Sequence, residues 1–234
     1  LEFLWDAGNV IVNADLWDKL PADLKEAVAK ASNEAELRNA EAYRRNDLSY
    51  RQKVADAIGQ NYDGSVKVRH LIEVLLEDYG LEALEKEFKF SLNGLKVAPY
   101  YGCLLVRPHE VTQFDDPENP TSMDRLITAM GGKSIDWPSK TECCGNSLSL
   151  TTRSDLVVEF SDAIIGMAAA ANADCIAVAC PLCQVNLEMR QKGKDKMPIF
   201  YFTELIGLSF GLPEAKSWLK KHLINPELLV QRIL

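Results

Sequence analysis

The first 102 residues contain no cysteine, although the chain has six. There is no uninterrupted apolar run of about 18 residues, so no membrane-spanning helix is expected. A basic leader is missing too. The chain opens Leu1-Glu2-Phe3 without a Met, which reads as upstream sequence left out rather than as an export signal. Positive charge is in deficit: 26 Lys and Arg face 34 Asp and Glu, for a net charge of −8. With no basic stripe to neutralise phosphates, a nucleic-acid partner is not expected. No Gly-x-Gly-x-x-Gly follows a strand-like run, so no nicotinamide or flavin fingerprint is present and electrons would have to come from a partner. What remains is ordinary globular sequence, 47% hydrophobic and 26% charged, enough for one large domain or two small ones. Thiols without an export signal point to a reducing, cytoplasmic compartment.

Five of the six cysteines fall in three short clusters: Gly102-Cys103, Cys143-Cys144-Gly145 and Cys180-Pro181-Leu182-Cys183. Disulfide pairing is the rival to metal binding. Adjacent cysteines such as Cys143 and Cys144 rarely bond to each other, and a chain of this length can build a core without staples. Thiolates gathered beside Gly and Pro therefore read as metal ligands. Cys175 is different. It lies inside the apolar run Cys175-Ile176-Ala177-Val178-Ala179 and reads as a small buried hydrophobe.

Up to about residue 92 the pattern is helical. Pro21 to Ala31 and Glu34 to Gly59 are expected as helices, the first with Pro near its start. Asn61-Tyr62-Asp63-Gly64 reads as a turn, and Ser65 as the cap of a helix whose apolar face is Val68, Leu71, Ile72, Leu75 and Leu76. Arg69 and His70 on it read as a solvated cation and a packed histidine.

After Asn93-Gly94 strands and helices alternate. Strands are expected at 95–101, 133–137, 175–179 and 199–202. Helices are expected at 120–130, at 155–171 with Ser154 as cap, at 182–190 beginning from Pro181, and at 214–223. The helix at 155–171 carries Gly166, Ala168, Ala169 and Ala170, small enough to allow close packing. His222, on the last helix, reads as ordinary surface. Alternation with continuously apolar strands predicts an α/β fold with a parallel, Rossmann-like sheet covered on both faces. Cys103, the Cys143-Cys144 pair and Cys180 then each follow a strand, at the carboxyl edge where such sheets bind ligands. Gly102 and Gly145 would clear room for the backbone beside a cofactor there, and Pro181 would keep the third loop short. Arg107, His109 and Lys140 flank these motifs as candidate contacts for an anionic substrate.

Spacing alone leaves structural zinc and an iron–sulfur cluster open, although five clustered thiolates exceed the four that either usually takes. The pattern Cys-x39-Cys-Cys-Gly-x34-Cys-x-x-Cys resembles the cysteine-rich "CCG" domain. Tyr100 to Pro108, Phe114 to Ser122, Lys140 to Gly145 and Val68 to Leu75 are each similar to the B-type subunit of the heterodisulfide reductase family. The resemblance runs from about residue 50 to the end. It implies a CCG domain over 93–234 and a noncubane [4Fe–4S] cluster held by Cys103, Cys143, Cys144, Cys180 and Cys183. It further implies an oxidoreductase component that reduces or forms a disulfide of a small thiol compound. Its implied partners are the iron–sulfur (C-type) and flavin-containing (A-type) subunits of such a complex. Members usually carry two cysteine motifs in tandem. Here residues 1–92 form a helical N-terminal region without one, so a remnant of a first CCG half plus a linker is one reading of it. The alternatives are an electron-transfer subunit of a hydroxy-acid or glycerol-phosphate dehydrogenase, or a zinc-stabilised assembly module without catalysis.

Overall fold

The computed structural model describes residues 4–6, 9–11, 18–19, 21–59, 67–150, 154–192 and 196–232. The chain divides into two compact units, Leu1–Val68 and Arg69–Leu234. The first contains an antiparallel pair, β1 (Leu4–Asp6) and β2 (Asn9–Ile11), and one helix, α1 (Ala22–Ile58). The sequence suggests two helices across α1, but the backbone runs through the Ser32-Asn33 stretch without a break and ends at Gly59 in the left-handed conformation. The expected turn at 61–64 and the Ser65 cap lie outside the described residues.

The second unit opens with α2 (Leu71–Val74), a π-helical turn (Leu75–Gly80) and α3 (Leu81–Glu87). The cap of α2 is His70, whose side chain accepts the Ile72 N–H. Val68, expected on the apolar face, is exposed, whereas Ile72 is fully buried. Arg69 is held by Glu73, Glu77 and Asp78.

Strands β3 (Lys96–Tyr100), β4 (Lys133–Ser134), β5 (Cys175–Val178) and β6 (Ile199–Tyr201) form one parallel sheet in the order β4-β3-β5-β6. Between them lie α4 (His109–Thr112), α5 (Ser122–Ala129), α6 (Ser154–Ala170) and α7 (Pro181–Met189). After β6 come α8 (Phe202–Phe210), α9 (Ala215–Trp218), a 3-10 turn (Leu219–Lys221) and α10 (Glu227–Val230). Side chains alternate across the pleat, so β3, β5 and β6 each feed two cores. Val97, Cys175, Ala177 and Phe200 pack with Met123, Leu126, Ile127, Leu205 and Leu208 on one face. Ala98, Tyr100, Ile176, Val178 and Ile199 pack with Ile164, Ala168 and Leu187 on the other. Each fully buried aliphatic side chain contributes about 1.5–3 kcal/mol, and burial on both faces is what makes these strands read as continuous apolar runs.

Further expectations need correction, beginning with the strand expected at 133–137, which stops at Ser134. Of the small residues on α6, only Ala168 is buried; Gly166, Ala169 and Ala170 face solvent. The fourth strand stops at Tyr201, and Phe202 begins α8, a helix whose apolar residues lie nearly all round it and so give no helical stripe. The terminal helix breaks at Trp218, and His222 lies beyond the 3-10 turn with its side chain buried, 2% exposed. Its Nδ1 meets Glu188 of α7 at 2.6 Å and its Nε2 meets Glu204 of α8 at 3.0 Å. Both nitrogens face carboxylates, so both carry hydrogen and the ring is an imidazolium. No helix among the described residues is long and apolar enough to cross a membrane.

Burial pushes His222 down, but Glu188 and Glu204 outweigh it and hold its pKa at about 9. A folded-state pKa above the unfolded value of about 6.5 gives stability that is complete below that pH and is lost as pH rises through 9. At about 1.4 kcal/mol per pH unit the clasp is worth up to about 3 kcal/mol. Urea unfolding of wild type and His222→Gln at pH 6, 8 and 10 should show a difference that is largest at pH 6 and nearly closed at pH 10.

Candidate functional site

The sheet order puts a reversal at its centre. From β3 the chain moves outward to β4, returns past β3 to form β5, and then proceeds the other way to β6. The carboxyl ends of β3 and β5 therefore flank a crevice from which connections leave in opposite directions, the usual ligand position in such sheets. Cys103 follows β3 by three residues and Cys180 follows β5 by two.

The loop carrying Cys143 and Cys144 is stitched to the end of β3. Tyr101 and Gly102 N–H groups both donate to the Lys140 carbonyl, at 2.8 and 3.2 Å. Tyr100 Oη donates to the Glu142 carbonyl at 2.6 Å, and Trp137 Nε1 to the Pro99 carbonyl at 2.8 Å. From the other side, Asn186 Nδ2 on α7 donates to the Cys144 carbonyl. Asn186 lies three residues after Cys183, so one helix face presents both the thiol and the amide that fixes the neighbouring loop.

These connections bring the five clustered thiols together and leave Cys175 elsewhere. Cys144 and Cys183 are buried with their sulfurs 3.5 Å apart. Cys103, Cys143 and Cys180 are half-buried. Cys175 is fully enclosed in the opposite core, and burial pushes its thiol up. Among the described residues no three His, Cys, Asp or Glu side chains gather about one point as a single metal ion requires. The thiols fall instead into a pair, Cys103 with Cys143, and a trio, Cys144, Cys183 and Cys180.

Within each group the thiols shift one another. Cys183 lies between Cys144 and Cys180; its hydrogen bonds to both, and then its burial, push its own thiol well up. Cys144 is lowered because Cys183 bonds to it. Cys180 falls to about 6, first through Cys183 and, against the cost of burial, through the N–H groups of Cys183 and Leu182. Those N–H groups belong to the first turn of α7, where Cys180 is the N-cap and Pro181 sits at N1. Cys103 is pushed up by its bond to Cys143 and by burial. Five thiolates in one crevice cannot all form unless positive charge enters with them. Soft thiolate donors in that number suit a multinuclear iron–sulfur group better than one tetrahedral ion.

Two tyrosines floor the crevice. Tyr100 is pushed up by burial and then by Cys183, Cys144, Cys143 and Cys103. Tyr201 is raised by burial and then by Cys180. Tyr100 opens one of the segments that carry the family resemblance, but Tyr201 and Asn186 do not stand out in the sequence, although the spacing from Cys183 to Asn186 is there to be read. The flanking cations are placed less uniformly. Arg107 is 37% exposed and holds the Pro117 carbonyl, Thr141 Oγ1 and Glu118. Lys140 is buried, its Nζ 3.0 Å from Asp124 and 3.3 Å from the Pro120 carbonyl. His109 is exposed at the start of α4.

Residues 97–188 match the cysteine-rich domain family CCG, and residues 4–70 match bacterial extracellular solute-binding protein, family 7. The chain is 31% identical over 172 residues to the 8-methylmenaquinol:fumarate reductase membrane anchor subunit of Wolinella succinogenes, covering 70% of this chain and 60% of that one. It is 30% identical over 176 residues to the B-type subunit of the ferredoxin:CoB-CoM heterodisulfide reductase of Methanosarcina mazei, covering 72% and 58%. The B-type subunit of a ferredoxin/F(420)H(2)-dependent CoB-CoM heterodisulfide reductase of Methanosarcina acetivorans is 31% identical over the same shares. The chain spans about three-fifths of the length of these relatives.

Gly102 has φ +67°, and a Cβ there would sit 3.2 Å from Cys183 Sγ. Gly102→Ala should cost about 1–2 kcal/mol from the left-handed backbone alone. It should also displace Cys183, so the thermal unfolding of Gly102→Ala should shift to a lower temperature.

Proposed function

We infer that this chain, with its CCG cysteine-rich domain at 97–188 and relatives named as B-type subunits of heterodisulfide reductases, is an iron–sulfur redox subunit whose substrate is a disulfide. The observation that carries the reading is the convergence of five thiols from three strand-end loops into one crevice. Cys103, Cys143, Cys144, Cys180 and Cys183 would hold a noncubane [4Fe–4S] cluster. When bound, that group supplies electrons one at a time, which suits a sulfur–sulfur bond whose cleavage to two thiols takes two electrons and two protons. The polypeptide would hold the ligands rigid on the sheet edge, keep Cys144 and Cys183 dry, and leave Cys103, Cys143 and Cys180 open on the substrate side. Gly102 and Pro181 would keep the backbone clear of the cluster; Gly145, expected to do the same, instead lets the loop pass close to Val157 and Phe160 of α6.

Arg107 is the flanking cation best placed for an anionic thiol. It stands beside Thr141, two residues before Cys143, and its carboxylate partner Glu118 is largely exposed and able to yield to a substrate. Lys140 and His109 have weaker claims, the first being committed to Asp124. The partners we propose are the iron–sulfur (C-type) and flavin-containing (A-type) subunits of a heterodisulfide reductase-like complex. The assembly would work in the cytoplasm, with the CCG domain at 93–234 preceded by the helical region 1–92.

A second reading, electron relay without disulfide chemistry, draws support from the relative named as a fumarate reductase subunit. Thiol addition separates the two. Saturating thiol should perturb the paramagnetic spectrum of the oxidised protein if an iron is open to substrate sulfur, and Arg107→Ala should weaken the response to anionic thiols more than to neutral ones. An intact cluster that ignores thiol leaves only the relay. Metal analysis comes first, because iron with sulfide rules out a zinc-stabilised module. Cys143→Ser and Cys144→Ser should each lose or convert the cluster, while Cys175→Ala should retain it; the visible absorption of anaerobically purified protein reads both.

A further inference from the structure

One backbone carbonyl beside the thiols is held by two side chains from distant parts of the unit. Ala179 O, immediately before Cys180, is met by Tyr201 Oη at 3.1 Å and by His70 Nε2 at 3.3 Å. The histidine's hydrogen is assigned by its other contact. Its Nδ1 accepts the Ile72 N–H at 3.2 Å and is therefore bare, so Nε2 carries the hydrogen and donates. The ring is seated against Phe202, centroids 5.6 Å apart, and Phe202 against Tyr201 at 5.1 Å.

The ladder is weakening where these donors act. β5 ends at Val178, and the Ala179 N–H reaches the Tyr100 carbonyl only at 3.4 Å. Beyond that point no strand partner among the described residues orients the Ala179–Cys180 peptide. The peptide unit is planar, so fixing its oxygen fixes its N–H and the Cα of Cys180. Cys180 is extended, with φ −123° and ψ 126°, and it starts α7. The direction of its sulfur follows from that plane.

We propose that His70 is a positioning residue for Cys180: with Tyr201, it pins the Ala179–Cys180 peptide and so sets where the Cys180 sulfur enters the thiol site. The proposal rests on the reading of Cys180 as a cluster ligand. It also gives His70 two separable jobs, capping α2 through Nδ1 and tethering Ala179 through Nε2. Two substitutions divide them. In His70→Asn the short amide keeps an acceptor for Ile72 but does not reach Ala179. In His70→Gln the longer amide reaches Ala179 with an N–H and gives up the cap.

The test uses the full chain, stripped of metal for amide hydrogen exchange and anaerobically purified for iron release to a chelator. His70→Asn should speed exchange at 180–183 by about fivefold, as expected for the loss of one neutral hydrogen bond, with little change at 71–76. Iron release should quicken by a similar factor. His70→Gln should restore both at the thiol end while speeding exchange at 71–76. Tyr201→Phe should act like His70→Asn, and the double variant should exceed the product of the two, because each donor covers for the other. The proposal fails if His70→Asn leaves exchange at 180–183 and iron release unchanged, or if Asn preserves both and Gln does not. Wild-type protein that binds no iron would overturn the ligand reading of Cys180. The exchange arm would then still decide whether His70 holds this backbone.

Discussion

The pairing of β3 with β5 is the constraint from which the site follows. Val97, Ala98, Pro99 and Tyr100 lie opposite Cys175, Ile176, Ala177 and Val178, two segments nearly 80 residues apart. Continued, that register brings Tyr101-Gly102 level with Ala179-Cys180 and Cys103 one residue beyond, and the Lys140 carbonyl, bonded to Tyr101 and Gly102, adds the third loop. A slip of β5 by one residue would turn Ile176 and Val178 to the wrong core and pull the sulfurs out of line. The thiol crevice is thus a product of apolar packing on both faces of the sheet rather than of contacts among the sulfurs themselves.

Within the crevice the electrostatics are unfavourable to five independent thiolates. Cys183 is pushed up by its bonds to Cys144 and Cys180 while those two are lowered by the same bonds, and Cys103 is pushed up by its bond to Cys143. Incoming cationic metal would replace the thiol protons, so the protein's cost of holding the sulfurs together is offset only when the group is loaded. The half-buried members face outward and the buried ones lie against Tyr100, Asn186 and the α6–α7 core. This polarity distinguishes a side suited to holding from a side suited to exchange.

What could be read from the sequence was what depended on local pattern. Strand-end cysteines beside glycine, an apolar strand with a cysteine inside it, and alternation of strand and helix all leave marks within a dozen residues. His222 left none, because its burial depends on Glu188 and Glu204, carboxylates on two other helices. Helix α8 was hidden by its own burial, which removes the polar face that periodicity detects. His70 read as a packed histidine, and it does pack, against Phe202; its bond to a carbonyl 109 residues away had no sequence signal. At the other end of the chain, the family match to 4–70 and the contact boundary after Val68 fall at nearly the same place, and composition did not announce that division.

The separation of the two paired strands along the chain has a consequence for biogenesis. Contacts between residues so far apart form late, since their loop must close before the pairing is rewarded. Until β5 docks beside β3, the thiols of Cys103, Cys143 and Cys144 wait on unfinished loops while Cys180 and Cys183 have not arrived. A nascent chain released into an oxidising medium would carry adjacent, reactive sulfurs with no common destination. Assembly of the site is therefore ordered by topology: the sheet closes first, and the five sulfurs come together only afterwards, at one edge of the finished fold.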